Sequence, residues 1–64
     1  MKTFNMIAEA IGGRGVQREW FSVEADSVPE AAYDGKKLVT RWLERNHLTP
    51  ASLIRFDITS VRVH

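Results

Sequence analysis

Sixty-four residues, no cysteine and a net charge of +1 with 27% charged side chains exclude a good deal. A domain of this size buries only about 60% of the surface its unfolded chain exposes, disulfide and thiolate chemistry are absent, and His47 and His64 have no neighbouring carboxylates in sequence with which to complete a metal site, so neither metal nor cofactor is expected. The near-neutral charge supplies no strong field for nucleic acid or acidic membrane, and with no long apolar run or leader pattern the expectation is a soluble cytoplasmic protein forming one domain, residues 1–64.

Alternation begins at once. Phe4, Met6, Ala8 and Ala10 fall on one face of an extended segment, and Thr3, Asn5, Ile7, Glu9 and Ile11 on the other. Val16 to Ala25 is a second strand, rich in β-formers, in which Phe21, Val23 and Ala25 share one parity. The glycines of Gly12-Gly13-Arg14-Gly15 suit a tight connection between antiparallel strands, because glycine reaches positive φ without a Cβ clash. A four-residue loop sets Ile11 opposite Val16, so that paired positions sum to 27: Phe4 with Val23, Met6 with Phe21, Ile7 with Trp20, Glu9 with Arg18. A slip of one residue would scramble both faces.

Ser27 and Glu30 form a capping box, and Pro29 is harmless in a first turn. Val28, Ala31, Ala32, Gly35, Leu38, Val39, Trp42 and Leu43 then recur at helical spacing, with acids early and bases late along the segment. Gly35 lies on the apolar stripe, where it would permit close approach to a sheet, at a cost of up to about 1 kcal/mol against alanine. Asn46 is the expected C-cap, and Pro50 blocks continuation. Leu53 to Val63 is extended again. The fold class is α+β with ββαβ topology: a three-stranded, mainly antiparallel sheet in the order 2-1-3, with one helix on one face.

One helix covers one side of such a sheet, so the other side should be polar. If Phe4, Met6, Phe21, Val23, Ile54, Phe56 and Ile58 meet the helix, parity leaves Ile7, Ile11, Val16, Trp20, Leu53, Val61 and Val63 uncovered, unless a bulge near Thr59 and Ser60 turns Val61 and Val63 inward. An apolar face with a tryptophan near its middle points to a partner. The contact residues expected from this reading are Ile7, Ile11, Val16, Trp20 and Leu53, with Arg14 and Arg18 as a charged rim. The occupant is another protein or a second copy of the chain, packed face to face or joined edge to edge through the second or third strand.

The Gly-rich loop leads into a strand rather than a helix N-terminus, so it lacks the construction of a nucleotide-binding loop. The rival reading is a nucleic-acid contact made by Arg14 and Arg18 on the hairpin, together with a helix stripe of Lys37, Arg41 and Arg45 at spacings of four. No histidine or carboxylate has the setting of a general acid or base, and a thin core leaves little room for a substrate pocket. The chain reads as a binding protein and not an enzyme, with no small-molecule substrate and no membrane.

The segment FSVEADSVPEAA, an edge strand passing through a capped turn into an amphipathic helix, resembles the layout of small phage- and mobile-element-encoded proteins of the anti-CRISPR or inhibitor type. That resemblance implies a stoichiometric inhibitor or adaptor that covers a surface of a larger protein complex.

Overall fold

The computed structural model describes residues 1–64. β1 (Lys2–Gly12) and β2 (Gly15–Ala25) form a hairpin, α1 (Val28–Arg45) follows, and a short 3-10 turn (Pro50–Ser52) leads into β3 (Leu53–Val63). The sheet order is β2-β1-β3, and both pairings are antiparallel. This is the α+β, ββαβ arrangement expected from the alternation pattern.

The β1–β2 register matches the expected one pair for pair, including Phe4 opposite Val23, Ile7 opposite Trp20 and Glu9 opposite Arg18. The ladder runs one pair further, because Gly12 pairs with Gly15 and only Gly13 and Arg14 form the turn. Gly15 has φ of 96°. A left-handed residue after a two-residue turn is the device that lets a type I turn close a hairpin without splaying its strands.

The β1–β3 ladder is less regular. It shifts register between Asn5 and Met6 and again between Glu9 and Ala10, so Thr59 and Ile54 are each an extra residue on β3. The simple alternation expected along β3 changes as a result. Leu53 comes opposite Ala10 and packs against the core, while Val61 comes opposite Phe4 and Val63 opposite Lys2, on the helix side. Ile54, expected to meet the helix, is 57% exposed at its bulge. The Thr59 hydroxyl donates to the carbonyl of Asn5 at 3.1 Å, which anchors the second bulge.

Ser27 caps α1, accepting from the Glu30 amide at 3.4 Å. Glu30 reaches back to the Asp26 amide at 3.0 Å rather than to that of Ser27, a capping box displaced by one residue. Ala31, Gly35, Val39, Trp42 and Leu43 are the buried helix positions; Val28 and Ala32, expected on the same stripe, are exposed. At the far end the Leu48 amide donates to Leu43 O at 2.8 Å and the His47 amide to Glu44 O at 3.1 Å. His47 itself has φ of 57°. These two bonds around a left-handed residue are the Schellman arrangement, with histidine where glycine is usual.

The core has two parts. Phe4, Met6, Val23, Ala25 and Ala31 form one cluster, and Ala8, Ala10, Val39, Trp42 and Leu43 the other. Phe21 packs against both and meets Trp42 edge-on, with ring centroids 6.1 Å apart. The helix lies over β1 and β2 and leaves β3 to one side. The molecule is correspondingly elongated, 40 × 16 × 15 Å with a radius of gyration of 12.1 Å, against about 11 Å for an ordinary domain of this length.

Candidate functional site

The sheet face away from the helix is built in rows by the two registers. Val16 stands beside Ile11; Arg18, Glu9 and Arg55 form the next row; Trp20, Ile7 and Asp57 the next; Ser22, Asn5 and Ser60 the one after. Among the expected contact residues, Trp20 is 60% exposed and Ile11 and Val16 are each 52% exposed. Ile7 lies on the same face, in the central strand between Trp20 and Asp57, yet is only 4% exposed. Leu53, expected here, faces the helix side instead because the bulge at Ile54 reverses its parity. The uncovered face is therefore smaller than seven residues, and the charged row divides it.

That row is a connected network. Arg18 Nε and Nη2 each lie 2.9 Å from Glu9 Oε2. Arg55 Nη1 reaches Glu9 Oε1 at 3.2 Å, and Arg55 Nε reaches Asp57 Oδ2 at 2.7 Å. Hydrogen bonds from Arg18 first and Arg55 second hold the Glu9 carboxyl below the usual carboxylate range, while Asp57 and then Glu9 raise the Arg55 guanidinium further. The Glu9–Arg18 pair follows from the hairpin register. Arg55 and Asp57 could be added to it only once the bulges of β3 had fixed which residues stand opposite Glu9 and Ile7. A second polar row is also joined, with Ser22 donating to Asn5 Oδ1 at 2.8 Å and Asn5 Nδ2 donating to Ser60 at 2.9 Å.

Trp20 also borders the free edge of β2. Its amide points away from β1 and is capped by Glu19 Oε1 at 3.0 Å. The exposed indole, the buried isoleucine opposite it and an unpaired strand edge thus lie together, beside charges that are already paired.

The basic residues are divided between two places. Arg18 belongs to the Glu9 network, on the face away from the helix. Arg14 instead shares a recess of about 460 Å³ with Arg45 and His47, lined also by Gly13, Gln17, Asn46 and Leu48. Lys37 and Arg41 line a shallow groove along the outer face of α1 with Tyr33, Lys36, Thr40 and Glu44; Lys37 Nζ sits 4.4 Å from the centre of the Tyr33 ring. Of the hairpin and helix cations, Arg14 and Arg45 line one recess, while Arg18 is paired with Glu9 on the face away from the helix.

No helix is long and apolar enough to cross a membrane. The chain matches no protein-family model, no curated protein and no solved structure.

Proposed function

We propose that the protein is a non-enzymatic interaction module whose contact face is the open side of the β1–β2 hairpin, centred on Trp20 and flanked by Ile11 and Val16. The observation that carries this reading is the 60% exposure of Trp20 in the middle of a regular strand, opposite a buried Ile7. Tryptophan is among the residues most enriched at binding hot spots, which sit in the middle of a contact and are ringed by groups that exclude water. The Arg18–Glu9–Arg55–Asp57 network runs between Trp20 and the Ile11–Val16 pair, and its charges are paired before any partner arrives. The exposed apolar area of Trp20, Ile11 and Val16 comes to roughly 300 Å² in two parts on either side of that row, in sum comparable to the largest patch on an ordinary monomer. Binding of another protein chain, or of a second copy, covers it; acting as an adaptor or a stoichiometric inhibitor is the kind of work such a module does.

Covering Trp20 removes on the order of 150 Å² of apolar surface from water, about 3–4 kcal/mol before ordering costs. Trp20→Ala should therefore weaken association by about 2 kcal/mol or more, roughly thirtyfold, while the unfolding midpoint stays close to the parent's. Light scattering from micromolar to millimolar chain, at low and high salt, measures self-association first. If the parent is monomeric throughout, capture of partners on immobilised chain with Trp20→Ala as the control takes its place. Equal association by parent and variant, with both folded, would refute the assignment of the face.

A further inference from the structure

The recess between the hairpin tip and the end of α1 has a composition unlike the rest of the surface. Arg14, Arg45 and His47 line it with the amides of Gln17 and Asn46, and no carboxylate does. Neither arginine takes part in any of the protein's four ion pairs, which use Arg18, Arg55 and the N-terminus. Elsewhere on the hairpin, arginine is matched to acid; here two arginines line one concave site without an acidic partner.

The backbone supplies a second, independent observation. His47 is the protein's single non-glycine residue with positive φ, at a helix-ending position where glycine is favoured because a Cβ is disfavoured in the left-handed region. Strained residues of this kind cluster at ligand sites. His47 is exposed and is one of the residues that line the recess.

The site is also continuous with the helix. Arg45, Arg41 and Lys37 follow one another at four-residue intervals, about 6 Å of rise each, and Lys36 runs alongside in the same shallow groove, in which Glu44 is the one carboxylate. A single phosphate would be satisfied by the recess alone and would leave this track unused. We infer that the recess formed by Arg14, Arg45 and His47 seats a backbone phosphate of a single-stranded nucleic acid, whose neighbouring phosphates run along Arg41 and Lys37. The inference does not rest on the Trp20 face, which lies on the opposite side of the sheet.

The test uses the full chain and a fluorescently labelled, mixed-sequence single-stranded oligonucleotide, read by anisotropy between about 50 and 200 mM salt. The logarithm of affinity should fall linearly with the logarithm of salt. Arg14→Gln and Arg45→Gln should each lower the slope by about 0.7 and the affinity roughly threefold to tenfold. Arg62→Gln removes the same charge at the far end of β3, opposite Thr3, and should change the affinity much less. His47→Gly should raise the unfolding midpoint, by relieving the backbone, and at the same time weaken binding; a change that merely damaged the fold would lower both. Absence of binding at low salt overturns the inference, as does an equal loss in Arg62→Gln and Arg45→Gln. A parallel titration with inorganic phosphate, followed by amide shifts, separates the remaining case: shifts at Arg14, Arg45 and His47 with phosphate but none with the oligonucleotide would overturn the strand in favour of a small anion.

Discussion

At Gly35 the helix comes close to the sheet, and replacing it with alanine sets two known effects against each other. A Cβ added there would stand 2.5 Å from Met6 Sδ, 3.1 Å from Met6 Cε and 3.0 Å from Phe56 Cζ. Alanine gains up to about 1 kcal/mol of helix propensity over glycine. Overpacking a filled core costs about 1–3 kcal/mol, and Met6, with no exposed surface, has no solvent into which to swing. Phe56, on β3, is half-buried and can yield part of the distance. The net expectation is that Gly35→Ala destabilises by about 1 kcal/mol, lowering the thermal midpoint by about 4–8 °C in a domain this small. Urea unfolding followed by far-ultraviolet circular dichroism measures it directly. A double-mutant cycle isolates the cause: in a Met6→Val background the sulfur is gone, and Gly35→Ala should change sign and stabilise by up to about 1 kcal/mol. A stabilising Gly35→Ala in the parent, or an effect indifferent to Met6→Val, would refute the close-approach argument.

The hairpin glycines should separate by backbone alone: Gly15→Ala, at φ of 96°, should cost about 1 kcal/mol or more, whereas Gly13→Ala, with open space around its added Cβ, should cost far less. Similar losses at both positions in thermal unfolding would contradict the assignment of the left-handed residue. Glu9 carries a pH signature. Because its folded value lies below the ordinary 4.5, its stabilising contribution is complete above that value and disappears as pH falls through the folded one. Thermal midpoints measured down through the acid range should drop less steeply for Glu9→Gln than for the parent; superimposable acid limbs would show that the Arg18–Glu9–Arg55 network does not couple to folding.

The parts of the fold readable in the sequence are those whose geometry is decided within a few residues. Ile11 opposite Val16 follows from the turn, and every other β1–β2 pair follows from that one. The helix start is written in Ser27 and Glu30, although the box closes on Asp26 rather than on Ser27. β3 is different, since its pairing is joined to the hairpin only through tertiary structure. Two extra residues, Ile54 and Thr59, reversed the parity of Leu53, Val61 and Val63; the possibility of a bulge near Thr59 is visible in the sequence, but the one at Ile54 is not. The same irregularity concealed Arg55 and Asp57, which complete the Glu9 network. Arg14 and Arg45 are separated by the whole helix, and only the folding back of the chain after Arg45 brings Asn46 and His47 against the hairpin tip. His47 could have drawn attention only as a non-glycine residue just past a helix end.

The two outer strands are unequal as places for a further strand to attach. β2 is paired to β1 one-for-one over all eleven of its residues, so its free edge is straight; β3 is broken by bulges at Ile54 and Thr59, and bulged edges turn their hydrogen-bonding groups out of line with an incoming strand. A sheet with two straight edges can add copies from both sides without limit, as fibres do. Here the straight β2 edge, its Trp20 amide capped by the Glu19 carboxylate, would offer an added strand a regular ladder, and the bulged β3 edge would not.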